Sequence, residues 1–550
     1  MKMEKPKLID CMKGYDKKQL IKDIFAGVMV AVIAFPLSIA LAISSGVSPE
    51  RGLYSAIVGG FFVSLLGGSR VNIGGVTAAT VMTVFTVVER FGLAGLAVTG
   101  MMAGLILILM GLLRLGTLLK YIPRTITLGF TAAIAVGIFA SQLKGFFGFV
   151  MADMPVKTIA KLIAYAGVRH TVEPITLTVG VLSILILIFL PRLAPKIPGS
   201  LAAIVLPTIL VLILNLPVPT IRSVYGELPT HLPRLQLPQI ALQTVPELIP
   251  FAFTLAILIA IVSLLSCVVT DGLTGERHDS NQELIAEGTA NLFCGLFGAV
   301  PVAGAVARAC NNVKYGGKTP VAGIVHSLSV ALILVVLIPL AGYIPIAALS
   351  AVLIVVACNM INWHEIGRII RCAPKSDTIV LLGTFTAGVT VDLLFAVEAG
   401  ILLSAVLMMR KMSKVTTIRE WTYHKDGHLP VPAHTQVFEL DGSLFFATAD
   451  EMMRIVPGDD TRVIIFRMGS MSMIDITALD HLQHLAEHLE RQGITLLLSH
   501  IREYPYSVMA KAGFIDRIGA GRLCGSITEA LRTADQIISA GAENPPAAEL

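Results

Sequence analysis

The stretch GAVPVAGAVARACNNVKYGGK, residues 298–318, decides the fold because it places one arginine between two long apolar stretches. Its start, from Val300 to Gly304, is rich in proline and glycine and cannot form an ordinary helix. A helix can begin near Ala305, which puts Arg308 in the first helical turn. If the flanking segments span a membrane, Arg308 lies near the middle of the bilayer, where a guanidinium costs about 2.5–3.5 kcal/mol.

An anion would balance this charge. The first N–H groups of a helix have no partner within the helix, and they attract anions, as does the fixed charge of Arg308. The alternative is an arginine that pairs with a buried carboxylate or with carbonyl oxygens. The two interpretations are compatible with each other.

The composition around this stretch predicts an α-helical polytopic membrane protein. Hydrophobic residues make up 55% of the 550 residues and charged residues 14%, and the mean hydropathy is +0.79. Apolar segments follow one another from Ile21 to Met412, with no cleavable signal before them. At about 20 residues per span, this length holds roughly fourteen spans, several of them broken.

Lysine and arginine clusters flank the apolar spans, and by the positive-inside rule they predict cytoplasmic ends for both termini. We attribute the net charge of +5 to this topology and not to nucleic-acid binding. The clusters are the seven lysines of residues 1–22, Arg114/Lys120/Arg124, Arg368/Arg371/Lys375 and Arg410/Lys411/Lys414.

No motif points to an enzyme. The seven cysteines show no metal-ligand spacing, and no phosphate-binding glycine loop is present, so we expect no metal and no cofactor. Three histidines, His481, His484 and His488, have helical spacing, but a solvated helix face explains them better than a metal site does.

The composition divides the chain into five parts: a cytoplasmic segment (1–20), a transmembrane domain (21–412), a polar linker (413–433), a small α/β domain (434–540) and a disordered tail (541–550). In the α/β domain, QVFELDGSLFF (436–446) is typical of a strand pair. RVIIFRM (462–468) and ITLLLSH (494–500) predict buried strands, and residues 476–493, 504–512 and 526–539 predict helices.

Two segments of the transmembrane domain resemble each other in design. SRVNIGGVTAATVMT (69–83) and AVPVAGAVARACNNV (299–313) both run from a short extended piece through glycine into small residues. Paired interrupted segments in the two halves of a transporter indicate a binding site, because half-helix starts can face a substrate. The two segments therefore indicate a transporter site.

These segments together resemble the SulP family of anion transporters, bacterial relatives of the animal SLC26 proteins, over essentially the whole chain. DIFAGVMVAVIAFPLSIALA (23–42) is similar to the family's first span and GLYSAIVGGFFVSLLGGSR (52–70) to its second. NQELIAEGTANLFCGLFG (281–298) and AVARACNNV (305–313) resemble the region of the tenth span. Residues 349–382 are close to the branch that includes C4-dicarboxylate carriers, and the C-terminal domain resembles a STAS domain.

The resemblance implies fourteen spans in two inverted seven-span repeats, arranged as the core and gate domains that nucleobase carriers share. It also implies a homodimer and an elevator motion of the core past the gate. The anion would bind between the half-helices of spans three and ten. The implied site residues are Phe35, Ser38, Thr77, Ala78, Val262, Ser266, Gly304, Ala305, Val306 and Arg308.

Two departures from the family pattern bear on function. Many bacterial members carry a carboxylate in span eight, thought to couple transport to protons or sodium, where this chain has Val262. Since valine cannot titrate, we expect weak or absent symport, and an Arg308 without its natural partner. In the STAS domain, Asp475 matches the loop aspartate of sigma-factor antagonists, but Ile476 stands at the phosphoacceptor position, so regulation by phosphorylation there is not expected.

The main hypothesis is a secondary active transporter or exchanger of small anions in the bacterial inner membrane. Sulfate, bicarbonate and C4-dicarboxylates all suit one arginine and two helix ends. Two alternatives are a nucleobase carrier of the same fold and an anion-binding receptor or scaffold that signals through the STAS domain. The expected partners are the anion, membrane lipid, a second copy of the chain and a cytoplasmic STAS-binding protein.

Overall fold

The computed structural model describes residues 5–117, 123–151, 155, 157–194, 198–421 and 430–543. The chain forms two compact units, Met1–Ile401 and Leu402–Leu550. Most of the predicted tail and the middle of the predicted linker lie outside the described residues, as does Lys120 of the predicted cytoplasmic clusters.

The first unit is helical. Its first half contains α1 (Lys7–Cys11), α2 (Lys17–Ser44), α3 (Pro49–Tyr54), a π turn (Ser55–Gly59), α4 (Gly60–Leu66), strand β1 (Gly74–Gly75), a 3-10 turn (Ala78–Thr80), α5 (Val81–Leu112), α6 (Arg124–Phe147), α7 (Thr158–Gly167), α8 (Pro174–Leu193), α9 (Gly199–Ile213) and α10 (Ile221–Tyr225). Its second half contains α11 (Val245–Thr274), α12 (Ser280–Leu296), strand β2 (Ala303–Gly304), α13 (Val306–Lys314), α14 (Val321–Ala341), α15 (Ile346–Met360), α16 (Trp363–Cys372), α17 (Lys375–Thr390) and α18 (Leu393–Val415), which continues into the second unit.

Seven of the described helices are long and apolar enough to cross a membrane by length and composition. Shorter or interrupted helices add to them. Helix α5 breaks at Gly92, whose φ of 66° and ψ of −168° are not helical. If α5 is counted as two segments, α3–α4 as one and the short polar half-helix α13 as one, the described helices give fourteen segments, the number predicted. Helices α1, α7, α10 and α16 are left out of this count.

The helices of the first unit fall into two packed sets. One set joins α5 to α12 and α11, α2 to α14, and α13 to both α2 and α11. The other joins α6 to α15 and α17, and α8 to α9 and α15. Both interrupted segments belong to the first set. This division is the one that separate core and gate domains require.

A buried aspartate fixes the start of α2 against the segment that follows α13. Asp23 has no exposed surface. It accepts hydrogen bonds from the Lys318 N–H (2.9 Å), the Thr319 hydroxyl (2.6 Å) and the Tyr15 hydroxyl (2.8 Å). Because these donors satisfy the carboxylate, the charge is tolerated in the interior and holds α2 and α14 together.

The second unit is an α/β domain. Its elements are β3 (Thr417–Glu420), β4 (Thr435–Leu444), β5 (Val463–Arg467), β6 (Met471–Ile474), α19 (Ile476–Arg491), β7 (Thr495–Ser499), α20 (Glu503–Lys511), α21 (Phe514–Ile518), β8 (Leu523–Cys524) and α22 (Ile527–Glu543). The strands form a six-stranded sheet in the order β3-β4-β5-β7-β8, and β6 pairs with β4. Strands β3 and β4 are antiparallel, and the other pairs are parallel.

Two details of the second unit differ from the sequence prediction. Residues 436–446 do not form a strand pair: β4 is one long strand, and its glycine at 442 adopts φ 100°, where the pairing register with β6 shifts. The predicted linker (413–433) contains β3, which pairs with β4 and extends the sheet. A polar, edge-strand sequence such as TIRE is hard to tell from a linker by composition alone.

Helix α19 forms where the sequence predicts a helix, over residues 476–493. Asp475 caps its first turn and accepts a hydrogen bond from the Ala478 N–H at 2.9 Å. Leu482, Leu485 and Leu489 follow the helical period and are buried in the core of the domain. The aspartate cap stabilises the start of α19, and the apolar stripe of helical period defines its buried face.

Candidate functional site

The two interrupted segments meet in the first unit, as the family resemblance implies. Strands β1 and β2 pair antiparallel, with Gly74 opposite Gly304 and Gly75 opposite Ala303. Each strand leads directly into a helix start, β1 into the turn that opens α5 and β2 into α13. The antiparallel meeting of equivalent segments from the two halves agrees with an inverted repeat.

Arg308 lies across this crossing. It is 3% exposed. Its Nη1 donates to the carbonyl oxygen of Gly74 at 3.2 Å, and its Nη2 donates to the carbonyl oxygen of Val76 and to the Ser38 hydroxyl, each at 3.2 Å. Its Nε has no hydrogen-bond partner. The guanidinium therefore binds oxygen atoms of β1 and α2 and retains one unused donor.

No carboxylate lies within ion-pair distance of Arg308 among the residues that the structure describes. The carbonyl contacts confirm one part of the alternative interpretation of this arginine, namely pairing with backbone oxygens. They do not neutralise its charge, because carbonyl groups are only dipoles. A buried positive charge without a counter-ion is costly, so the site favours an added anion.

Both helix starts beside Arg308 lack side-chain caps. Ala305 precedes α13 and cannot cap it, and Thr77 precedes the turn into α5 without making a cap hydrogen bond. The Thr77 hydroxyl is buried and has no hydrogen-bond partner at all. Since the first N–H groups of a helix are unsatisfied from within, two uncapped starts leave several donors free near the arginine.

Gly75 makes room for the arginine. A Cβ atom added at Gly75 would lie 1.5 Å from Nη1 of Arg308 and 2.6 Å from its Cζ. Any larger residue would therefore displace the guanidinium. The glycine in this extended segment is explained by the close approach of a side chain.

A chain of buried polar side chains shapes the extended piece before β1. Glu283 on α12 accepts hydrogen bonds from the N–H groups of Gly68 (2.8 Å) and Ser69 (3.0 Å) and from the Asn72 side-chain amide (2.6 Å). The oxygen of that amide accepts from the Ser266 hydroxyl at 2.8 Å. These bonds satisfy irregular backbone that lipid would not tolerate.

The piece before β2 is held in the same way. The Asn291 side chain pairs with Val302, donating to its carbonyl oxygen and accepting from its N–H, each at 2.9 Å. Ser55 makes a similar pair of 2.8 Å bonds with the backbone of Val300. The Gly304 N–H donates to the Ser263 hydroxyl at 2.8 Å. Side chains from α11, α12 and the π turn thus replace missing strand partners.

The implied site residues divide into three groups. Ser38, Gly304 and Arg308 take part directly in the crossing of β1 and β2, and Thr77 lies at its end. Ser266 points its hydroxyl at Asn72, so it supports the backbone. The remaining residues are only partly buried, which leaves them surface to contact a ligand: Phe35, Ala78, Val262, Ala305 and Val306.

Sequence reasoning missed several polar residues around the crossing. Glu283, Glu287 and Asn291 follow one another at intervals of four on α12, so they share one face of that helix, and all three are fully buried. That spacing within an apolar span was the available signal. His326 on α14 is also fully buried, and neither of its ring nitrogens has a hydrogen-bond partner.

In the part of the chain that the structure describes, no group of three or more His, Cys, Asp or Glu residues is placed to hold a metal ion. All seven cysteines are free thiols. His481 lies 3.7 Å from Asp450, an exposed carboxylate, and this contact is an ordinary surface pair.

The fold and site define a polytopic helical membrane protein with a central site suited to negative charge. The chain belongs to the sulfate permease family, which its residues 20–384 match, and residues 428–530 match the STAS domain. It is thus a member of a family of anion transporters and not of enzymes, and its overall fold is the one predicted.

Three similar proteins illustrate this membership. The chain is 34% identical over 512 residues to "Putative sulfate transporter YvdB" of Bacillus subtilis (strain 168), covering 92% of this chain and 96% of that protein. It is 29% identical over 495 residues to the bicarbonate transporter BicA of Picosynechococcus sp., covering 84% and 86%. The structure of murine Slc26a9 in the inward-facing state matches with a TM-score of 0.85 over 96% of this chain and 94% of that one; at 19% identity this match supports the fold alone.

Proposed function

We propose that this protein is a secondary active transporter or exchanger that binds one small anion at the crossing of β1 and β2. The observation that carries the proposal is Arg308, a buried guanidinium with one unused donor and no carboxylate partner among the described residues, beside two uncapped helix starts. An anion in this position would offset the arginine charge and would accept from the free N–H groups.

The candidate substrates are sulfate, bicarbonate and C4-dicarboxylates. The names of two similar proteins mention sulfate and bicarbonate. One fixed positive charge and two helix dipoles of about half a charge each suit a monoanion or a compact dianion. A C4-dicarboxylate would need room for a second carboxylate, and the partly exposed Phe35 and Val262 are the apolar surface available to its carbon chain.

Transport by an elevator motion is supported by the two packed sets of helices. Ser38, whose hydroxyl binds Arg308, and both irregular segments belong to the set that contains α2, α5, α11, α12, α13 and α14. A site held within one set can move with it past the other set. We therefore infer that α6, α8, α9, α15 and α17 form the stationary gate.

The exposed apolar side chains of the first unit support a location in the membrane. Helices α8, α9 and α14 expose many large apolar side chains, which suit contact with lipid. We infer a multi-pass protein of the bacterial inner membrane with both termini in the cytoplasm. A homodimer and a cytoplasmic partner for the STAS domain complete the proposal.

The test is anion flux in proteoliposomes with [14C]bicarbonate, [35S]sulfate and [14C]succinate, each with and without an imposed pH or sodium gradient. We expect uptake of at least one of them, and competition by the unlabelled form of the same anion. Binding of an anion without any flux would favour a receptor or scaffold instead. Binding of uracil or xanthine with no response to anions would favour a nucleobase carrier.

A Val262→Glu variant tests the coupling of transport. If no group near the anion titrates, the wild-type protein exchanges anions independently of any proton or sodium gradient. The glutamate variant would then become gradient-driven, because it adds a carboxylate that a cation can neutralise. Gradient-driven transport by the wild-type protein would instead require another titratable group at the site.

A further inference from the structure

Glu287 on α12 is a buried titratable group that the site described above does not use. It has no exposed surface, and neither of its carboxylate oxygens has a hydrogen-bond partner. Burial of an ionised carboxylate without donors or a cation is costly, and uptake of a proton removes that cost. A carboxylate without hydrogen-bond partners does not stabilise the fold, so a purely structural role does not explain Glu287. Glu283, one turn earlier on the same helix, shows the contrast, because three donors satisfy it.

Glu287 lies directly behind the crossing of β1 and β2. Its polar neighbours are the Ser263 hydroxyl and the Gly304 backbone N–H. Ser263 lies on α11, and its hydroxyl oxygen accepts a hydrogen bond from the Gly304 N–H at 2.8 Å. Gly304 pairs with Gly74, whose carbonyl oxygen binds Arg308. The carboxylate of Glu287 is thus connected to the guanidinium of Arg308 through the backbone of Gly304 and of its strand partner Gly74.

We propose that Glu287 is the protonation site that couples anion transport to protons in this chain. When Glu287 is ionised, its charge and that of Arg308 sum to zero. When it is protonated, the site carries a net charge of one and holds an anion more tightly. By linkage, a bound anion favours the protonated carboxyl to the same extent. This inference rests on the proposed anion transport.

The proton balance is simple. A proton from the water on the side to which the site is open binds a carboxylate oxygen of Glu287 as the anion binds Arg308. After the core has moved, the anion leaves and the O–H bond breaks, which releases the proton to the water on the other side. The Ser263 hydroxyl accepts from Gly304 and keeps its own proton for donation, so it is placed to relay protons.

Other titratable groups near Glu287 do not replace it. On its own helix, Glu283 is satisfied by its donors and Cys294 is a buried thiol; on α11, Cys267 is another. Helix α5, which packs closely along α12, carries charge only at Glu89 and Arg90, both exposed near its first half. Helix α4 and the π turn carry none. His326 on α14 lies close enough to Arg308 for their charges to interact, so it needs its own control.

The test measures proton uptake on anion binding. Sulfate, which has no titratable proton near neutral pH, is titrated calorimetrically into the purified full-length protein in two buffers of different ionisation enthalpy. For the wild-type protein we expect net proton uptake, and an affinity at pH 6 about 5-fold or more above that at pH 8. For Glu287→Gln we expect no proton uptake and affinities within about twofold of each other at the two pH values.

Three further variants complete the design. Glu247→Gln changes an exposed glutamate in the first turn of α11 and keeps the wild-type behaviour. His326→Gln also keeps the proton uptake, which separates the two buried titratable groups. Glu287→Asp retains a carboxyl and restores a pH dependence, which a purely structural role would not do. In proteoliposomes, Glu287→Gln still exchanges sulfate at equal pH but no longer accumulates it in response to a pH gradient.

Two results would overturn the inference. The first is that the wild-type protein binds and transports the anion with no proton uptake and no pH dependence. This measurement uses only the wild-type protein, so it does not depend on the folding of any variant. The second is an undiminished pH response in Glu287→Gln. Failure of sulfate, bicarbonate and succinate alike to bind or move would refute the proposed anion transport itself, and the coupling role with it.

Discussion

Replacement of Gly75 by alanine should disable the site through a single methyl group. The added Cβ would lie 1.5 Å from Nη1 of Arg308, so the guanidinium must withdraw by about 2 Å to reach ordinary contact. That shift breaks its 3.2 Å bonds to Gly74 and Val76. Hydrogen bonds to charged groups contribute about 1.5–3 kcal/mol each, so the loss of both bonds would remove about 3–6 kcal/mol of the free energy that holds the guanidinium in place.

Relaxation of the arginine side chain recovers part of this energy, and we expect a 10- to 100-fold loss of anion affinity, or about 1.4–2.8 kcal/mol. The assay is calorimetric titration of Gly75→Ala with the transported anion, alongside flux in proteoliposomes. Gly137→Ala is the matched control, because a Cβ there meets nothing closer than 3.6 Å. A folded Gly75→Ala protein that binds the anion with wild-type affinity would refute the placement of Arg308 at the site.

Three other predictions concern the scaffold and the second unit. Glu283→Gln turns an acceptor of three hydrogen bonds into a partial donor, so we expect a loss of about 3 kcal/mol or more and a lower unfolding temperature in detergent; an unchanged unfolding temperature would contradict this role. Burial and the hydrogen bond to Asp23 raise the pKa of Tyr15 to about 12, above its ordinary value of 10.0. The neutral phenol therefore stabilises the fold fully below pH 10 and ceases to do so as the pH rises towards 12, and Tyr15→Phe should lose less of its unfolding temperature across that window than the wild-type protein does. Asp475→Ala removes the cap of α19, which should cost the STAS domain about 1–2 kcal/mol in chemical denaturation of the isolated second unit, with equal stability as the opposing result.

The sequence was sufficient for the parts of the molecule in which local pattern and tertiary structure agree. The apolar runs predicted the membrane spans, and the proline and glycine around Val302 predicted the interruption that became β2. Arg308 was identifiable because a charge inside an apolar region demands an explanation. The strands and helices of the STAS domain followed from periodicity, whereas the capping role of Asp475 at α19 emerged only from the structure.

Other features could not be read from the sequence because they depend on partners that lie far apart in the chain. Asn72 and Glu283 meet across 211 positions, and only the fold shows that one satisfies the other. Glu287 differs from Glu283 in nothing local; the difference is that neither of its carboxylate oxygens has a hydrogen-bond partner. Strand β3 has a polar sequence, and its pairing with β4 alone identifies it as part of the sheet.

The role of Arg308 in anion binding is tested most directly by comparing wild-type protein with Arg308→Gln in the same proteoliposome flux assay, using the anion that the wild-type protein transports. Glutamine keeps a polar side chain but removes the fixed charge and the fork of donors. If the arginine binds the transported anion, flux should fall about 100-fold or more, while the unfolding temperature shows that the protein remains folded. Wild-type flux in folded Arg308→Gln would contradict an anion site at the crossing of β1 and β2.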